Sequence, residues 1–225
     1  MATVVFFHAH PDDEALASGG TMARMADEGH RVVLVVATRG EEGEPVPGVL
    51  ANGEALGDRR TTEVHEAASI LGVARLAFLE YRDSGMADDP ANGHPDCFWQ
   101  ADVEAATDRL GTELADEEVD VLVVYDSHGG YGHPDHIQVH RVGTRWAQRM
   151  DAAGGRPVRL RWVTMNRDVI RASIDAAVSA AEAAAAAGEE GWSDEAMLEL
   201  RRERVESDTF GMPDAEITHG VDVTP

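Results

Sequence analysis

The sequence predicts an α/β fold built on a mainly parallel sheet flanked by helices, and three observations carry that prediction. The apolar runs "TVVFF", "RVVLVVAT" and "VDVLVVYD" are hydrophobic on both faces, as in strands buried between two helical layers. Stretches with helical periodicity alternate with these runs along the first two thirds of the chain. Ligand-type side chains crowd the carboxyl ends of two of the strands, where open α/β sheets gather their ligands.

The elements follow in order. Thr3 to Phe7 reads as a first strand, and Glu14 to Glu28 as a helix closed by Gly29. Residues 31–38 form a second strand, followed by a Gly/Pro-rich loop over 39–57. A helix is expected over 59–71, ended by Gly72, then a third strand over 74–80 and a helix over 99–118. The fourth strand covers 119–126, a helix runs from His133 to Met150, and "PVRLRWVTM" supplies a fifth strand. The Ala-rich stretch 171–188 is a strong helix former, with Ile174 and Val178 four apart on one face. A last helix is expected from Ser193, a good cap, with Glu195 nearby. The pattern is Rossmann-like and shows no repeat or internal boundary, so residues 1–225 are expected to form a single domain.

Composition narrows the function. The formal charge is −23, and all 19 basic residues are Arg. Such a surface repels nucleic acid and anionic membrane, so neither is expected as a partner. It suits solubility or a high-salt habitat. Cys97 is the only cysteine, so no internal disulfide forms, and a lone Cys is more often a buried residue than a catalytic thiol. The N-terminus lacks the basic region and long apolar core of a signal peptide, and no run is long enough to span a bilayer; a cytoplasmic location is expected. Self-association as a homo-oligomer stays open.

Two motifs carry the chemistry. "HAHPDDE" (8–14) closes the first strand, and "HPDH" (133–136) follows the fourth. His10 and Asp13 can turn the same way across a tight turn, and His136 can supply a third ligand from the start of its helix. Two His, one carboxylate and an open position make a catalytic zinc pattern. Zn(II) lowers the pKa of a bound water to roughly 7, and Fe(II) suits the same donors. Asp12, beside a ligand but pointing elsewhere, is the candidate general base. His133 lies one helical turn from His136, facing the same cavity, and can stabilise an oxyanion or protonate a leaving amine. Asp135 is expected to fix the His133 tautomer. Each motif alone could be an acid-rich, Pro-started helix cap; two of them closing strands of one sheet make coincidence a poor explanation. Of the remaining histidines, His8 and His140 lie nearest.

"AHPDDE" and "HPDH", in this order and on this pattern, resemble the PIG-L/LmbE-like family of zinc-dependent N-acetylglucosaminyl deacetylases. "YRDSGM" (81–86), "FWQAD" (98–102) and "YGHPDH" (131–136) look most like its mycothiol branch, which includes a deacetylase and an S-conjugate amidase. The resemblance implies an LmbE-like fold, His10, Asp13 and His136 as zinc ligands, Asp12 as base and His133 as the residue that assists the transition state. It implies that Tyr131 helps polarise the scissile carbonyl and that Arg60 and Asp83 contact an amino-sugar substrate. Read from the residues alone, Tyr131 is a loop aromatic among glycines, Arg60 can pair with Glu63 at helical spacing, and Asp83 can form a turn before Ser-Gly. Many relatives continue past a "VDV" segment into a further helix, whereas this sequence stops at "VDVTP", so a pocket wall or an oligomer contact is expected to be missing.

The expected reaction is hydrolysis of an N-acyl group on a small amino-sugar substrate, for which N-acetylglucosaminyl-inositol is the leading candidate. A mycothiol S-conjugate amidase and a deacetylase of a secondary-metabolite glycoside are the enzyme alternatives. A sugar-binding protein that keeps the metal without turnover is the rival from another class. A dinucleotide-binding domain is disfavoured, because three acids stand where a Gly-rich phosphate turn belongs.

Overall fold

The computed structural model describes residues 1–186 and 210–224. Five strands form one sheet in the order β3-β2-β1-β4-β5, every neighbouring pair parallel. They are β1 (Thr3–His8), β2 (Arg31–Val36), β3 (Arg75–Phe78), β4 (Val119–Tyr125) and β5 (Arg159–Val163). The helices are α1 (Gly19–Asp27), α2 (Leu56–Ile70), α3 (Val103–Glu113), the single turn α4 (Gly129–Gly132), α5 (Pro134–Ala152) and α6 (Arg167–Ala186). Chain order reverses at β1, which pairs with β2 on one side and β4 on the other. The crevice at that reversal lies beyond the carboxyl ends of the two strands carrying the histidine motifs.

Strand alternation builds two cores. Val5, Phe7, Val33, Val35, Leu122 and Val124 face α3 and α5, meeting Ala106, Leu110, Val139, Val142 and Trp146. Val4, Phe6, Val32, Leu34 and Val36 face the other way, onto Met22 of α1 and Val64 of α2. Burying a Phe or Leu side chain stabilises by about 1.5–3 kcal/mol, so both layers are fixed by the strands between them. α5 lies so close to the sheet that a Cβ at Gly143 would come within 2.5 Å of Val124 Cγ1.

The chain divides into two compact units, Met1–Val163 with Val221–Pro225, and Thr164–Gly220. In the second, α6 is followed by residues 210–220, where Arg167 donates to the carbonyls of Phe210 (2.6 Å) and Gly211 (2.9 Å). The helix expected from Ser193 and Glu195 lies outside the described residues. Among the described residues, no helix is long and apolar enough to cross a membrane.

Three helices that precede β4 differ from expectation. The helix expected over 14–28 is interrupted: Glu14–Ser18 is a π-helical turn, and Ser18 leaves helical geometry (φ −141°, ψ 4°) before α1 starts at Gly19. Two successive glycines hold a helix weakly, and the Ser18 hydroxyl is drawn to His8 at 2.8 Å. The helix expected over 99–118 begins only at Val103, because Asp102 caps it by accepting the Ala105 N–H at 2.9 Å, while Phe98–Gln100 forms a 3₁₀ turn. α2 begins at Leu56, three residues ahead of expectation.

Candidate active site

The backbone places the site before any side chain is considered. After β1 the chain turns sharply at Asp12, whose φ of 106° is unusual for a residue with a Cβ. Such a conformation costs about 1–3 kcal/mol and persists only when its surroundings enforce it. Here the Asp12 N–H donates to Glu14 Oε2 (3.0 Å), and its carbonyl accepts from Ala15 and Leu16 (3.0 Å each). The turn folds Asp13 back so that its Oδ2 accepts the His10 N–H at 2.9 Å. On the other strand, His133 is the N-cap of α5 and Pro134 opens the helix. The fixed φ of Pro134 suits that position. His136 therefore stands one turn into the helix, its ring 4.9 Å from that of His133.

His10, Asp13 and His136 converge. His10 Nδ1 lies 3.3 Å from Asp13 Oδ2, His136 Nε2 lies 3.4 Å from the same oxygen, and the two ring nitrogens are 3.4 Å apart. A tetrahedral ion with bonds of about 2.0–2.1 Å spaces its donors about 3.3–3.4 Å apart, so this triangle has the size of a zinc face. The outer ring nitrogens support the same reading. His136 Nδ1 faces the Gly129 carbonyl at 3.1 Å, and His10 Nε2 faces Asp135 Oδ2 at 3.2 Å and Asp83 Oδ1 at 3.4 Å. Acceptors there put the ring protons outside and turn both lone pairs inward, toward a common point. Gly129 is needed for this: its φ is 64°, and a Cβ would meet His136 Cβ at 2.6 Å.

The electrostatics match. Burial pushes the His10 imidazole down, but Asp13, Asp135 and Asp83 around it reverse that and hold it well above the usual value. Burial would raise Asp13; His136 and His10 instead hold it well below the carboxylate range. The carboxylates around His10 thus favour a positive charge at this point. Two other triads have ligand atoms close enough to hold an ion, His10 with His133 and His136, and His10 with Asp83 and Asp135. Both are less suited. His133 Nδ1 already accepts the Asp135 N–H (3.2 Å), which leaves the ring proton of the neutral form on Nε2. The Asp135 carboxylate is filled by the Ser84 N–H (3.0 Å) and hydroxyl, and that of Asp83 by the N–H groups of Glu42 (3.1 Å) and Gly85 (2.9 Å).

The remaining residues sit around this triangle. Burial, with His10 and His136 beside it, lowers the His133 pKa to about 3, so it is a neutral Nε2–H donor at neutral pH. Asp12 is half-exposed at the mouth; burial and the charge of Asp13 raise its pKa above the usual Asp value. Tyr131 stands edge-on to His136, ring centres 5.0 Å apart, on the Gly-flanked turn α4.

Three expectations are corrected. The Asp135 carboxylate does not orient His133; it is fully buried and faces His10, and only its backbone reaches the His133 ring. Asp83, expected to touch the substrate, is 3% exposed and points at His10 from the side opposite the triangle. Arg60 pairs neither with Glu63 nor with open solvent. Its Nη2 lies 3.0 Å from Asp12 Oδ2 and its Nη1 donates to the Gly40 carbonyl at 3.2 Å. Tyr125, absent from the sequence reading, stacks on His136 with centroids 4.1 Å apart and planes 8° apart. A lone Tyr ending an apolar strand gives no signal beyond core packing. His140 points away, to the Tyr125 carbonyl at 3.0 Å.

The family model for GlcNAc-PI de-N-acetylase, PIG-L, matches residues 5–147, a span that holds every one of these side chains. The chain belongs to the PIG-L family. A protein of Thermobifida fusca described as a 1D-myo-inositol 2-acetamido-2-deoxy-alpha-D-glucopyranoside deacetylase is 49% identical over 66% of this chain and 55% of its own length. One of Geodermatophilus obscurus with the same description is 40% identical over 97% of this chain and 76% of its own. The chain spans about half the length of the first of these curated relatives. Among solved structures, the N,N'-diacetylchitobiose deacetylase of Pyrococcus horikoshii aligns with a TM-score of 0.51 at 26% identity, covering 68% of this chain and 52% of its own. A deacetylase of the teicoplanin biosynthesis pathway, at 20% identity and TM-score 0.56 over 72% of this chain and 67% of its own, shares the fold.

Proposed function

We propose that this PIG-L family member is a metal-dependent N-deacetylase that hydrolyses the acetamide of an N-acetylglucosaminyl-inositol. The observation that carries the proposal is the triangle of His10 Nδ1, Asp13 Oδ2 and His136 Nε2 at 3.3–3.4 Å, with Asp12 and His133 beside it. These three residues would hold Zn(II), or Fe(II), which suits the same donors. When bound, such an ion polarises the amide carbonyl and makes hydroxide available near neutral pH.

The chain's own groups do the rest. Asp12 takes the proton of the attacking water and hands it to the amine nitrogen as the C–N bond breaks, giving acetate and free amine. The His133 Nε2–H, neutral and fixed by the helix cap, donates to the tetrahedral oxyanion. Tyr131, on the glycine-flanked turn beside it, adds a second donor to that oxygen. Arg60 holds Asp12 and lies where sugar or inositol hydroxyls would approach. Asp83 and Asp135 keep His10 oriented. The reading of residues 1–225 as one deacetylase domain working in the cytoplasm belongs to the same proposal.

The substrate follows the description of the relatives, so the test is a panel. Metal-loaded protein is assayed for amine release from N-acetylglucosaminyl-inositol, N-acetylglucosamine, a mycothiol S-conjugate and an N-acylated glycoside. Fastest turnover of the first supports the proposal. Preference for the conjugate or the glycoside moves the substrate while keeping the chemistry, and no turnover of any, with metal bound, favours a binding protein.

A further inference from the structure

The turn that joins β4 to α5 rests on one carboxyl group to which the proposed mechanism gives no task. Asp126 follows the last residue of β4 and is fully buried. Its own N–H donates to the Val163 carbonyl at 3.1 Å, which ties it to β5. Its Oδ1 accepts two backbone N–H groups, that of His128 at 2.9 Å and that of Gly130 at 2.8 Å.

The second of these N–H groups belongs to the peptide unit that joins Gly129 to Gly130. The carbonyl of the same unit faces His136 Nδ1 at 3.1 Å. A trans peptide is planar, and its N–H and C=O point in opposite directions. Holding the N–H on Asp126 therefore aims the carbonyl at His136. One line of contact runs from the end of β4, through this peptide, to the first turn of α5. Metal-binding histidines are commonly oriented through the ring nitrogen that faces away from the metal, by a carboxylate or a backbone carbonyl. Here the carbonyl does this and the carboxyl group braces the carbonyl.

The brace matters because the turn has little stiffness of its own. Gly129, Gly130 and Gly132 all have positive φ, at 64°, 73° and 92°. Glycine enters that region at no steric cost and leaves it as readily. Gly130, with φ 73° and ψ −55°, lies close to the rare, strained γ-turn. Such a conformation persists only where its surroundings enforce it. Asp126 holds the peptides on both sides of Gly129, the preceding one through its main-chain carbonyl, which accepts the Gly129 N–H at 3.0 Å, and the following one through Oδ1.

We infer that Asp126 is a positioning residue for the metal site: by taking the Gly130 N–H it fixes the peptide whose carbonyl orients His136. The inference rests on reading His136 as a ligand. It assigns the glycines of this turn a shared purpose, since only a chain free to adopt positive φ can present one peptide to a carboxyl group on one side and to a histidine on the other.

Asp126→Ala removes the acceptor. Zn(II) affinity, measured by competition with a chelator, is expected to fall about 10–100-fold, the usual effect of losing a group that orients a metal ligand. Asp126→Asn keeps an Oδ1 that can accept the same two N–H groups, and should retain most of the affinity. A residue that only stabilised the fold would lower the melting temperature of Asp126→Ala and leave the zinc affinity of the folded chain unchanged; that result overturns the inference. So does an Asn variant that binds zinc as weakly as the Ala variant. A further readout needs neither metal nor variant: NMR of the unaltered chain should show a through-hydrogen-bond coupling between the Gly130 amide nitrogen and the Asp126 carboxyl carbon, with slow exchange of that amide. A missing coupling with fast exchange overturns the inference even if Asp126→Ala fails to fold. Failure of the ligand reading looks different: the unaltered chain and His136→Ala would bind zinc equally poorly while the Gly130 coupling is still seen.

Discussion

The Arg60 guanidinium, carried on α2, sits 3.0 Å from the carboxylate of Asp12, which turns out of β1 in a left-handed conformation. The proposed base is therefore held by a cation that sequence reading assigned to the substrate. Arg60 opposes the burial and the Asp13 charge that raise the Asp12 pKa. Removing it should raise that pKa further. A base works when ionised, so the acid limb of the kcat/KM profile should move to higher pH in Arg60→Ala. An unmoved limb with only a higher KM would return Arg60 to a pure substrate contact.

Asp12→Asn isolates the base from the fold. Asn is among the residues that best tolerate positive φ, so the turn that carries Asp13 should survive. Turnover should fall about 10²- to 10⁴-fold, the usual loss for a general base, with zinc stoichiometry and melting temperature near those of the unaltered protein. Near-normal turnover would move the role to another group.

The parts of this site that were legible in the sequence are those set by local pattern. "HAHPDDE" and "HPDH" each follow an apolar strand, and helix spacing alone put His133 and His136 on one face, as observed at 4.9 Å. Strands β1, β2 and β4 were legible for a related reason, since nearly continuous apolar runs leave few alternatives. What was not legible depends on chain segments far apart. Asp83 and Asp135 meet at His10 because the loop after β3 folds over the start of α5, and Ser84 donates to Asp135 across 51 residues. Nothing near "HPDH" says that its Asp serves the His of another motif. The helix over 14–28 was misjudged because His8, ten residues before Ser18, competes for its hydroxyl. The late start of α3 was readable in principle, since Asp102 is a good cap.

Because Asp83 is buried against His10, its removal should act on the metal rather than on sugar binding. Asp83→Asn should weaken zinc affinity about tenfold or more, with KM nearly unchanged once metal is saturating. A raised KM at saturating zinc and unaltered affinity would restore its role as a substrate contact.

Metal should also stabilise the fold, since the three donors are assembled only in the folded chain. At a free zinc concentration a hundredfold above Kd, the gain is about 2.7 kcal/mol, visible as a higher melting temperature. Chelation should abolish both this shift and turnover, and zinc should restore both. His136→Ala should melt at one temperature with or without zinc; a retained shift would place the ion elsewhere.

His133 has two duties that one substitution can separate. As N-cap of α5 its Nδ1 accepts the Asp135 N–H, and losing a cap costs about 0.5–2 kcal/mol. Its Nε2–H is the proposed oxyanion donor, worth about 10²–10³ in kcat. His133→Ala should lose both stability and rate. His133→Asn keeps a side-chain oxygen at the cap position, so it should recover most of the melting temperature while kcat stays low and KM barely moves. The donor acts only as charge builds on the carbonyl oxygen, so its loss should appear in kcat and kcat/KM alike. If His133→Asn recovers rate together with stability, the cap alone explains the residue, and another donor, with Tyr131 the nearest candidate, must carry the oxyanion.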